Sequence, residues 1–271
     1  MSIWLEQVCL LAAAAAVIWG MLAAWTIKPT GQTVAKSLDG AVPPALAATP
    51  LYPRLLALVA AVGWIALRGI LRRHAPFANM YESLSFFGLL YVLKCFWGQR
   101  RCTWWLYLPG LVMLTIALLL PWPQKLPGVV PAALQSFWIF IHVPAYFIGY
   151  VSLTMAAVYA LLPLLRRERS RPAGNWSLWN QQLQRELEIA WFFCSVGLIT
   201  GAIWADISWG RFWSWDPKES WALVTWLLTA AALHAGRWPR ARQILALIAF
   251  LAMLYTYFGV AFFASGLHSY V

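Results

Sequence analysis

Trp204 to Trp221 reads WADISWGRFWSWDPKESW, and long apolar runs lie on both sides of it. The stretch holds five tryptophans, Trp204, Trp209, Trp213, Trp215 and Trp221. Tryptophan is a large flat ring with one N–H donor, so a cluster of them makes a stacking surface for a broad aromatic ligand. The competing reading is an interfacial aromatic belt. A belt accounts for one or two tryptophans at a helix end. It accounts less well for this density beside Asp216-Pro217-Lys218-Glu219. Asp216 sits where an N-cap belongs, Pro217 suits the first helical position and Glu219 falls at the third. A helix therefore starts there, and the two acids are read first as shaping the loop.

Working outward, a membrane span needs about 20 apolar residues. Eight such helices are expected, over 3–27, 55–70, 79–97, 105–120, 134–165, 187–207, 219–235 and 244–263. The Trp-rich loop joins the sixth and seventh. Arg68 interrupts the second, and His142 falls in the first turns of the fifth. Residues 30–53 and 121–131 read as Pro-rich loops and 166–184 as a polar basic segment. Backbone groups in lipid must bond internally, which makes the spans helical. The fold class is thus an all-α polytopic membrane protein, with 1–271 as one transmembrane domain and no internal repeat.

Composition agrees. The chain is 62% hydrophobic, and its mean hydropathy of +0.66 exceeds what a soluble domain can hide. The net charge of +11 would suggest nucleic acid in a soluble protein. Here the positive-inside rule explains it, and no nucleic-acid partner is expected. Arg100, Arg101, Arg166, Arg167, Arg169, Arg171, Arg185, Arg237, Arg240 and Arg242 mark the cytoplasmic side. Helix parity then puts the Trp-rich loop, the start of helix five and the C-terminal tail on the other side, with Arg72 and Arg73 there against the rule. Cys9, Cys95, Cys102 and Cys194 are scattered without a CxxC pair, so they read as packing residues. The N-terminal run, carrying Glu6, reads as a first span and not as a cleaved signal peptide.

The segment WGRFWSWDPKESWALVTWLLTAAALH resembles the tryptophan-rich WWD signature of haem-handling membrane proteins. Its long form, running on to a histidine, is similar to the CcsA-type (ResC-like) cytochrome c biogenesis proteins, the haem-handling subunits of the System II cytochrome c synthase. Asn79-Met80-Tyr81-Glu82-Ser83 fits that family, as does the ending Phe258-Gly259-Val260 through Gly266-Leu267-His268-Ser269-Tyr270. The likeness runs from about residue 75 to the end.

The resemblance implies a function: haem b, as substrate, is presented at the outer face and joined covalently to CxxCH apocytochrome c. It implies a CcsB-like (ResB-like) partner subunit and residence in a bacterial cytoplasmic membrane, or a thylakoid membrane if plastid-derived. The enzyme expected is a cytochrome c synthase subunit, with the chemistry largely the cofactor's. His142 and His268 match the family's two external histidines, the axial ligands of a six-coordinate haem iron. Trp209, Trp213, Trp215 and Trp221 would line the porphyrin, with Asp216 beside it. Arg211 and Lys218 would meet propionates. His234 matches an intramembrane histidine. It lies fifteen positions beyond Glu219, about 22 Å deeper, and would serve an inner haem position completed by another chain. The alternative for His234 is a snorkelling residue at a helix end. His74 reads as exposed beside two arginines.

Two rival functions stay open on the sequence. One is a CcmC-like haem exporter or chaperone that forms no thioether bond. The other is a transporter or quinone protein with an aromatic belt and incidental histidines.

Overall fold

The computed structural model describes residues 2–26, 51–72, 74–97, 104–126, 130–165, 173–263 and 266–268. Residues 30–50 of the expected loop over 30–53, residues 166–172 of the basic segment and the residues Arg73, Arg100, Arg101, Cys102, Ser269 and Tyr270 lie outside them, while residues 51–53 open a helix, Leu51–Arg72, and are not loop. All regular structure among the described residues is helical, as the apolar runs require. Five helices have the length and apolarity of membrane spans: Ile3–Leu22, Leu51–Ile70, Ile139–Leu161, Trp179–Trp209 and Pro239–Phe263. The chain is an all-α integral membrane protein.

Two compact units divide the chain, Met1–Val129 and Val130–Val271. The first holds α1 (Ser2–Thr26), α2 (Leu51–Arg72), α3 (Met80–Trp97), α4 (Leu108–Leu119) and the single turn α5 (Trp122–Lys125). Within it α1 packs on α2 and α4, and α3 packs on α2 and α4. Arg68 does not interrupt α2, which runs through it. Its guanidinium is fully buried, with Nη1 2.7 Å from Glu6 Oε2 and Nε 2.7 Å from Glu82 Oε1. Two carboxylates thus carry the charge within the helix bundle, so the span need not break. His74 is not exposed either. It packs half-buried, with Nδ1 2.8 Å from Ala75 O and Nε2 3.6 Å from Glu82 Oε1. The fourth expected span is shorter than the sequence suggests. A 3-10 turn, Trp104–Tyr107, precedes α4, which has Pro109 at its start and 12 residues, about 18 Å.

The second unit holds α6 (Ile139–Leu165), α7 (Ala173–Trp209), α8 (Pro217–His234), α9 (Pro239–Leu254) and the turn α10 (Val260–Phe263). Four of these close a ring: α6 packs on α7, α7 on α8, α8 on α9 and α9 on α6. The polar stretch before helix six belongs to that helix. α7 is one element of 37 residues, about 55 Å long, which overreaches a hydrocarbon core of about 30 Å. Its polar part, Gln181–Glu188, is free of Pro and Gly and built of good helix formers. Gln184 Nε2 also bonds Glu188 Oε1 one turn on, at 2.7 Å. The last span starts earlier than expected, at Pro239, and a π-helical turn over Tyr255–Gly259 separates α9 from α10.

Candidate functional site

His142 is the fourth residue of α6, and its backbone N–H bonds Trp138 O at 2.8 Å. The ring points at α7. Gly197 and Gly201 are four apart on α7 and so share one face. His142 Nδ1 bonds Gly197 O at 2.9 Å. Gly201 leaves the space the ring occupies: a Cβ there would fall 2.5 Å from His142 Cε1. Tyr146, one turn along α6, meets the imidazole edge-on at 5.1 Å. Trp204 stacks on it at 5.6 Å with 24° between planes. Trp204 is itself buried, 2% exposed, and its Nε1–H donates to Ala133 O at 2.8 Å.

α7 ends at Trp209, and Gly210 after it bonds Asp206 O through its N–H at 2.7 Å and, with a φ of +73°, turns the chain into the loop. The loop closes on a capping box. Asp216 caps α8, with Oδ1 accepting from Lys218 N at 2.9 Å, while Glu219 Oε2 accepts from Asp216 N at 3.2 Å. Glu219 also takes the Ser214 N–H at 2.8 Å. Both acids shape the loop, as their spacing implies. Trp215, just before the cap, has φ of +59°, a left-handed conformation costly for a bulky residue, and its ring is 70% exposed.

The C-terminal tail returns to the same cap. Leu267 N donates to Asp216 Oδ2 at 2.6 Å, and His268 Nδ1 lies 2.9 Å from Asp216 Oδ1. Gly266 permits this approach, since any Cβ there would collide with Asp216 Oδ2. Burial raises the Asp216 pKa. The His268 hydrogen bond, the Lys218 N–H, the charge of His268 and the Leu267 N–H outweigh that and hold it down at about 2. The carboxylate is ionised at neutral pH. His268 then packs on Trp204 at 5.5 Å and on Trp209 at 4.9 Å.

His142 and His268, which are 126 positions apart in the sequence, thus share one neighbour, the indole of Trp204. Their hydrogen bonds fix more than position. A carbonyl and an ionised carboxylate only accept, so in each neutral ring Nδ1 carries the hydrogen and Nε2 keeps its lone pair. That second-sphere arrangement is what a metal-binding imidazole needs. Imidazole nitrogens prepared in this way are donors of the kind that haem iron takes.

The other expected site residues divide. Trp209 joins the cluster, 4.8 Å from Trp204. Trp213 and Trp215 pair with each other, edge-on at 5.8 Å. Trp221 sits against Tyr255 of the π-turn at 4.5 Å. Arg211 is exposed and Lys218 half-buried. His234 is the last residue of α8, exposed, at the opposite end of that helix from Asp216. Sequence reasoning counted Trp204 but did not assign it to the porphyrin; it passed over Gly197 and Gly201 and gave Gly266 only as part of the matching ending. The i, i+4 glycines of α7, three residues short of Trp204, were a legible sign of a close-packed face.

Comparison with known proteins places the chain. The family model described as cytochrome C assembly protein matches residues 54–268. The "Cytochrome c biogenesis protein CcsA" of Chlamydomonas reinhardtii is 32% identical over 73% of this chain and 61% of its own length. Proteins with that same description from Guillardia theta and Prochlorococcus marinus are 30% and 32% identical, over 80% and 81% of this chain and 83% of their own. Among solved structures, "Cytochrome c Heme Lyase CcmF" superposes with a TM-score of 0.64 at 20% identity, over 95% of this chain and 47% of its own length. That likeness is one of fold, and the chain spans about half of that protein. The match over residues 54–268 and the identity to the Guillardia and Prochlorococcus relatives over 83% of their own length make this chain a member of the cytochrome c assembly protein family.

Proposed function

We propose that the chain holds haem at the outer face of the membrane and, with a second membrane subunit, attaches it to CxxCH apocytochrome c. Its relatives are named cytochrome c biogenesis proteins, which supports that process. The observation that carries the reading is the pair of imidazoles on Trp204, each with Nδ1 tied to an acceptor. His142 and His268 would hold the iron through Nε2, and Trp204 and Trp209 would border the ring. Haem supplies the vinyl groups to which two cysteine thiols add. The chain binds, orients and shelters it. Trp213, Trp215 and Trp221 would contact the porphyrin edge or the polypeptide that approaches it, and Arg211 a propionate. Among the described residues of the second unit, His142 and His268 lie by Trp204 and no histidine other than His234 lies at the far end of α8. An inner haem position there would take its second ligand from the CcsB-like partner.

The test is coexpression with a CxxCH apoprotein, with and without a CcsB-like subunit, scored for haem that survives denaturation. Covalent haem that needs this chain, and that falls in His142→Gly and His268→Gly, supports the proposal. Haem bound by the chain but never transferred, with either partner arrangement, points instead to an exporter or chaperone.

A further inference from the structure

The two histidines are held in different ways. His142 is built into a helix. Its ring is boxed by Gly201 and Trp204 of α7 and by Tyr146 of α6, and it bonds a backbone carbonyl of α7. To retract, it would have to move α6 against α7, the most intimately packed helix pair in this unit. His268 lies on a tail beyond α10 and belongs to no helix. The Leu267 N–H and the ring's own Nδ1 both bond the Asp216 carboxylate. That carboxylate also caps α8 through Lys218 N. One side chain therefore fixes the end of a rigid helix and the resting place of a movable ligand.

From this asymmetry we infer that His268 is the exchangeable axial ligand and that Asp216 is the latch that seats it, a positioning residue for ligand exchange. This rests on the reading of His142 and His268 as haem ligands. An incoming imidazole from a substrate needs one coordination position emptied. Releasing His268 would break its bonds to Asp216 and its ring contacts with Trp204 and Trp209 but move no helix, while His142 would keep its place against α7. The latch also explains Gly266: the tail can lie on the carboxylate only where the chain has no Cβ. It gives Asp216 a role separate from capping, since Asn caps a helix about as well as Asp yet offers His268 no charge.

The experiment uses the full chain in detergent. Nitroxide labels are placed at Leu267→Cys on the tail and, separately, at Phe140→Cys on α6. In the apoprotein, Asp216→Asn should mobilise the tail label and leave the α6 label unchanged. Glu219→Gln, which weakens the capping box without touching the tail, should mobilise neither. In the haem-loaded protein, cyanide stands in for the incoming ligand. Its binding should mobilise the tail label, and Asp216→Asn should raise the apparent cyanide affinity about 10-fold or more, the usual scale for losing a partner of a metal-binding histidine. Cyanide that mobilises the α6 label, or an Asp216→Asn protein with an unchanged tail and unchanged cyanide affinity, overturns the latch. Loss of the underlying ligand reading looks different: haem would then keep the same spectrum in both His142→Gly and His268→Gly.

Discussion

Arg68 Nη1 lies 2.7 Å from Glu6 Oε2, and both side chains are fully buried. The same guanidinium bonds Glu82 Oε1 and the Lys125 carbonyl, which ties α1, α2, α3 and the α5 turn together. Removing one partner of such a cluster strands a buried charge. Arg68→Met should therefore destabilise the first unit by about 3–5 kcal/mol. The triple change to Glu6→Gln, Arg68→Met, Glu82→Gln should recover part of that loss. Thermal melting in detergent reads both. Equal melting of Arg68→Met and the parent would remove the cluster from the account of this unit.

Gly201→Ala tests the seat of His142. The added methyl would stand 2.5 Å from His142 Cε1, so ring or helix must shift. Overpacking of this kind costs about 1–3 kcal/mol. The expected result is a folded protein with a modest loss of stability and a disturbed low-spin haem spectrum. Gly69→Ala, in α2 where the structure leaves open space, should leave the haem spectrum unchanged and raise stability by about 0.5–1 kcal/mol.

Trp204 carries more than its share of the cluster, since it touches both imidazoles and Trp209. Trp204→Ala should cost about 3–5 kcal/mol through the cavity it leaves and lower haem retention. Trp204→Phe keeps a ring but loses the bond to Ala133 O. It should keep haem while losing about 1 kcal/mol. Trp215→Ala, at an exposed ring, should leave stability nearly unchanged.

The membrane helices were legible because apolar runs of span length have few other fates. The α8 cap was legible because it is local: Asp216, Pro217 and Glu219 are adjacent and their roles depend only on spacing. The start of α7 was hidden by polarity, since Gln and Glu leave a membrane without leaving a helix. Arg68 was visible as an anomaly but its partners were not, because Glu6 is 62 positions away and Glu82 is 14. The site divides in the same way. His142 and His268 followed from a family resemblance. The choice of Trp204 over Trp213 or Trp221 as their common neighbour depends on how α6, α7 and the tail pack, which no count of tryptophans conveys.

Orientation has its own test. If the Trp-rich loop faces outward, single cysteines at Ser208 and Ser269 should react with an impermeant thiol reagent in intact cells. One at Ser170 should react only after lysis. The opposite pattern would put the loop, and the proposed haem site, on the cytoplasmic side.

The central claim is that His142 and His268 bind one iron through Nε2. The most direct measurement is the absorption and EPR spectrum of the purified haem-loaded protein beside His142→Gly and His268→Gly. The account predicts a low-spin bis-imidazole spectrum in the parent. Each single variant should show five-coordinate or lost haem, and added imidazole should restore the six-coordinate signal. An unchanged bis-imidazole spectrum in either variant would contradict it.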